Sequence, residues 1–111
     1  MRPITVGSRP TAATLTTLYT VPLGYYAKMV TFFASNETGN NKHITLEWFD
    51  ASAAQSYQLL YQVTVNAKNY LLLGAPSYIV LEEGDILRVE TESTSVFSVC
   101  ATLEIAGSQR A

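Results

Sequence analysis

Residues 57–65 read YQLLYQVTV. With a period of two, Tyr57, Leu59, Tyr61, Val63 and Val65 share one face, and Gln58, Leu60, Gln62 and Thr64 share the other. That alternation predicts a β-strand with one face on a core and the other mostly wet. Its β-branched and aromatic residues suit a pleated, half-buried surface. Leu60 breaks the pattern, an apolar residue on the polar face.

Working outward, the same reading yields strands over residues 14–21 (TLTTLYTV), 26–35 (YAKMVTFFAS), 43–50 (HITLEWFD), 70–73, 78–82, 86–93 and 96–105. Turn chemistry separates them. Pro22-Leu23-Gly24-Tyr25, the polar run 36–42 (NETGNNK), 66–69 (NAKN) and Glu83-Gly84-Asp85 supply proline, glycine or asparagine where the chain must reverse. Gly74-Ala75-Pro76-Ser77 breaks one strand from the next. Inward positions include Ile44, Leu46, Trp48, Ile79, Leu81, Phe97, Val99, Ala101, Leu103 and Ile105. No helical period appears. The expected fold is all-β, an antiparallel β-sandwich of about eight strands, jelly-roll-like or immunoglobulin-like. Residues 1–13 read as an extended N-terminal arm, frayed or ordered against a neighbouring subunit, residues 14–106 as the sandwich and 107–111 as a short tail.

Composition narrows the function. The chain has 111 residues, enough for one core. Charged residues are only 14% of it, against roughly 25% in an ordinary soluble domain. Seven basic and nine acidic residues, in no block, leave a net charge of −2. No basic stripe exists for nucleic acid and no polybasic patch for a membrane surface. No apolar run reaches the length of a membrane span, and the start MRPITVGSRP lacks the apolar core of a secretory signal. Cys100 is the lone cysteine, so no internal disulfide is expected. A reducing cytoplasm fits that pattern.

No catalytic constellation, metal site or cofactor site is predicted. His43 and Cys100, the single imidazole and thiol, lie on outward positions of separate strands and form no nucleophilic pair. Glu82, Glu83 and Asp85 offer oxygen ligands, but hairpin chemistry explains them equally well. Glu90 and Glu92 share a strand face about 7 Å apart; a glycosidase-type pair needs a cleft, and a solvated face is the expectation. Asn36-Glu37-Thr38 matches the glycosylation pattern and reads as a plain loop.

Several strands are apolar on both faces. Leu18, Phe49, Leu60 and one of the pairs Val30/Phe32 or Met29/Phe33 fall on outer faces, Phe32 being taken into the expected interface. Tyr25 and Tyr26 flank the Pro22–Gly24 turn. Together they exceed what a solitary domain tolerates as exposed apolar patch. These six are therefore the expected oligomer or partner interface.

Three segments in order resemble a known group. Thr17-Leu18-Tyr19-Thr20-Val21-Pro22-Leu23-Gly24, the strand from Ala27 to Gly39 and Leu81-Glu82-Glu83-Gly84-Asp85-Ile86-Leu87-Arg88-Val89 are similar to motifs of small structural proteins of tailed bacteriophages. The resemblance implies a β-sandwich virion component, assembled in the host cytoplasm and repeated around a symmetry axis. The most specific expectation is a non-enzymatic capsid decoration or cement protein. It would be a homotrimer whose partners are its own copies and the major capsid protein or other virion proteins, with no nucleic acid or membrane partner. A tail, collar or fibre-associated component is the alternative within the particle. A carbohydrate-binding module, stacking sugars on Tyr25, Tyr26 or Phe49, is the alternative outside it.

Overall fold

The computed structural model describes residues 2–10, 13–74 and 79–107. Nine strands run β1 (Arg2–Ser8), β2 (Thr16–Thr20), β3 (Tyr25–Asn36), β4 (Lys42–Asp50), β5 (Gln55–Val65), β6 (Tyr70–Leu73), β7 (Ile79–Leu81), β8 (Ile86–Thr91) and β9 (Phe97–Gly107). Sheet A has the order β1-β9-β3-β6, with β7 also paired to β3, and sheet B the order β2-β8-β4-β5. Every pairing is antiparallel. β6 lies against residues 32–35 of β3 and β7 against residues 27–29, so the two share one strand position.

With β6 and β7 counted as one, the first strand pairs with the last, the second with the last but one, and so inward to β4 and β5. That is jelly-roll connectivity, one long hairpin folded over into a two-sheet sandwich. Between the sheets lie Val21, Phe32, Ile44, Leu46, Leu81, Leu87 and Phe97, all essentially inaccessible. Trp48 is half-buried and packs against this core.

Three of the residues expected outside are not there, and one cause accounts for all three. A β-bulge adds an unpaired residue to one strand, so the in-out alternation changes phase on its far side. In β2 the register shifts between Thr17 and Tyr19, and the residue in the bulge, Leu18, is buried. In β3 it shifts between Met29 and Thr31, so Ala27 and Met29 point inward before the bulge, and Phe32 and Ala34 after it. In β5 two shifts bring Leu60 opposite Leu46, where it packs against the core. Gln62, at φ 50, bends the chain beside the first of them.

Those bulges also correct the reading of residues 57–65. This strand is an edge of sheet B, and Tyr57 and Tyr61 are exposed.

The expected arm contains β1. Ile4 and Val6 alternate with Pro3, Thr5 and Gly7, pair with Leu103 and Ala101 of β9, and pack on the core of their own chain. Proline is tolerated because β1 is an edge strand. Residues 11 and 12 of the arm, the break at 75–77 with the start of the next strand, and tail residues 108–111 lie outside the described residues.

Candidate functional site

The two turns that carry motifs in the sequence clasp each other. Tyr25 N donates to Pro22 O with Gly24 at φ 81, and Asp85 N donates to Glu82 O with Gly84 at φ 86. Only glycine adopts that backbone without strain. Between the turns, Val21 N donates to Asp85 O and Gly84 N to Val21 O, at 3.0 and 2.9 Å. Gly24 N donates to Oε1 of Glu83 at 2.7 Å. Asp85 is buried and accepts from Trp48 Nε1, Ala51 N and Glu82 N at 3.1, 3.0 and 2.9 Å. The acidic turn is thus a structural clamp, with the Asp85 carboxylate and one oxygen of Glu83 committed to donors of their own chain. Among the described residues no group of three or more His, Cys, Asp or Glu side chains is placed to hold a metal ion.

Asn36 is also structural. Its side chain is buried, with Nδ2 donating to Asn40 O and Val65 O at 2.9 Å each and Oδ1 accepting from Thr38 N. The amide a glycan would need is therefore sequestered. Glu37 beside it takes Arg9 at 2.9 Å and the hydroxyl of Ser98, whose hydrogen bond, with Arg9 second, holds the carboxyl below the usual glutamate range.

The outer faces of the two sheets differ in kind. On sheet A, Phe33 lies between its register partners Leu72 and Cys100 and stacks on Tyr70, with ring centroids 5.3 Å apart. Tyr70 is 59% exposed, Leu72 56% and Val80 50%. Alternation from buried Ala27 puts exposed Tyr26 on this face too. Its charges cancel locally, with Lys28 Nζ 3.6 Å from Glu104. The result is an open apolar row, and the sequence reading missed Tyr70, Leu72 and Val80. The signal available was the run Tyr70-Leu71-Leu72-Leu73, apolar at every position, which no strand with one wet face requires.

On sheet B the outer face is polar. Phe49 is half-buried there, with the Arg88 guanidinium 4.9 Å from its ring centroid and Arg88 Nη1 donating to Glu47 Oε2 at 2.9 Å. A groove of about 460 Å³ crosses β4, β5 and β8, lined by His43, Thr45, Gln58, Tyr61, Gln62, Glu90 and Glu92 among others. The carboxylate pair expected on a solvated face thus lines a cleft. Glu92 is engaged: Oε1 accepts from His43 N at 3.1 Å and Oε2 lies 3.8 Å from Lys42 Nζ. Cys100 and His43 sit on the outer faces of different sheets and do not meet.

The six residues expected to form one interface are therefore dispersed. Leu18 and Phe32 belong to the core, Leu60 packs against it, and Phe49 lies under Arg88. Tyr25 and Tyr26 are exposed, as neighbours in a strand on opposite sides of sheet A. The Tyr25 ring covers Gly107, where an added Cβ would come within 2.9 Å of it.

No protein-family model matches the chain. Nor does any curated protein. Among solved structures, the globular domain of zebrafish complement 1qA protein aligns with TM-score 0.51 and 16% identity, over 92% of this chain and 95% of that one. Bacillus endospore appendages, described as a novel family of disulfide-linked pili, align with TM-score 0.48 and 11% identity, over 96% and 88%. At this identity the complement domain shows a shared β-sandwich fold and nothing about activity.

Proposed function

We propose that this chain is a non-enzymatic structural protein that works by packing the outer face of sheet A against further copies of itself. The observation that carries the reading is the row Tyr26, Tyr70, Leu72 and Val80, exposed apolar groups on one sheet face, with half-buried Phe33 stacked on Tyr70 among them. A second copy suits this face better than a charged partner, because the charges on it, Lys28 with Glu104 and Arg9 with Glu37, are paired within the chain. The low charge content points the same way: copies brought together meet little like-charge repulsion.

The more specific reading rests on the motif resemblance. The assembly is a tailed-phage particle, and the chain is a trimeric decoration protein of its shell. By mass action, a protein that binds only the assembled lattice stabilises it against opening.

Sedimentation equilibrium of the full chain tests the oligomer. The expected mass is three times the 12.2 kDa of the chain, and Leu72→Lys, which disturbs no core contact, should shift it toward one copy. A monomer at every concentration overturns the assembly reading. An oligomer that fails to co-sediment with phage shells removes the virion part alone.

A further inference from the structure

The groove on sheet B takes no part in that packing, and its chemistry points to a ligand. Tyr61 is 60% exposed at its wall. The side chains of Gln58, Gln62 and Glu90 line it and make no hydrogen bond to any described residue, whereas Glu92 is spoken for. At the groove, His43 Nδ1 is buried and lacks a partner among the described residues. Buried polar atoms are nearly always satisfied, so an orphan at a cleft marks a place where a partner is needed. The volume falls in the range of small-molecule clefts, about 300–1,000 Å³.

The lining selects the ligand class. Among the described residues no lysine or arginine lines the groove, and the carboxylates of Glu90 and Glu92 disfavour an anion. An apolar ligand would strand Gln58, Gln62, Glu90 and His43 Nδ1. A cation would use the carboxylates but leave the amide N–H groups of Gln58 and Gln62 with nothing to donate to. A polyol uses both, since each hydroxyl donates and accepts. A pyranose adds an apolar C–H face for the exposed ring.

We propose that this groove binds a neutral saccharide. The pyranose ring lies on Tyr61, and Gln58, Gln62 and Glu90 hold its hydroxyls. The site is distinct from Tyr25, Tyr26 and Phe49, the residues that sequence alone favours for sugar stacking.

Amide chemical-shift mapping of the full chain tests it, with the methyl glycosides of glucose, galactose, mannose and N-acetylglucosamine at millimolar concentrations and choline as the cationic control. At least one glycoside should move the amides of Gln58, Gln62 and Glu90, and choline should not. Tyr61→Ala should weaken that binding about tenfold, the scale of one lost aromatic contact. Tyr61 is exposed, so the variant keeps its fold; Glu90→Ala provides a second reading and should weaken binding likewise. The proposal is overturned if no glycoside perturbs the groove, if choline binds there instead, if shifts map to Tyr25 and Tyr26, or if both variants bind as tightly as the wild type. None of these outcomes depends on the oligomeric state.

Discussion

Trp48 and Asp85, separated by 37 positions in the chain, meet as donor and acceptor, with the indole Nε1 3.1 Å from Oδ2. The carboxylate is buried and also takes two backbone amides, so one side chain ties β4, the loop after it and the turn before β8. Asp85→Ala leaves three donors without their acceptor. Hydrogen bonds to a charged group are individually strong, and unsatisfied buried donors are costly. The expected loss is about 3 kcal/mol, read as a lower urea midpoint at unchanged slope.

Asn36 makes a prediction about modification. Expressed through a glycosylating secretory route, the chain should show no glycan mass at Asn36, because its Nδ2 is buried on two backbone carbonyls. A glycosylated Asn36 in intact-mass spectra would contradict the packing of the β3 end. Asn36→Ala should cost about 2 kcal/mol in urea unfolding, since those carbonyls and Thr38 N lose their partner.

Gln62 occupies left-handed backbone at φ 50. Gln62→Gly should be neutral or stabilise slightly, because glycine meets no steric penalty there. Gln62→Val should cost about 1–2 kcal/mol through Cβ crowding alone. Thermal unfolding of the pair compares them directly. Equal losses in both variants would mean that the side chain, and not the bulge, is what the position needs.

Glu37 predicts a pH dependence. Its carboxyl is held below the usual glutamate range by the Ser98 hydroxyl and by Arg9. A depressed value favours the charged form in the folded chain, so the stabilisation is full above the usual range and is lost as pH falls through the folded value. The stability gap between wild type and Glu37→Gln should therefore narrow when urea midpoints are followed from about pH 7 to about pH 3. The contact is exposed, so the gap should also shrink with added salt.

Much of the architecture is written locally. Residues 97–105 alternate so regularly that Phe97, Val99, Ala101, Leu103 and Ile105 are all buried as their spacing predicts. Gly24 and Gly84 mark turns because no other residue adopts their backbone freely. Alternation and turn chemistry act over a few residues, and so they suffice for strands, for reversals and for the β-sandwich class.

What lies outside each strand was decided elsewhere. A bulge is defined by two strands at once, by an extra residue in one against its partner, and nothing in residues 16–20 or 55–65 alone announces it. So Leu18 and Leu60, outward by simple counting, and Phe32, on a strand apolar on both faces, belong to or pack on the core, while Tyr70, Leu72 and Val80 make the open face. The groove likewise exists only once β4, β5 and β8 stand side by side and bring Gln58, Gln62 and Glu90 from distant parts of the chain to one cleft. Local sequence sets where a strand runs; the pairing of strands sets which way its side chains point.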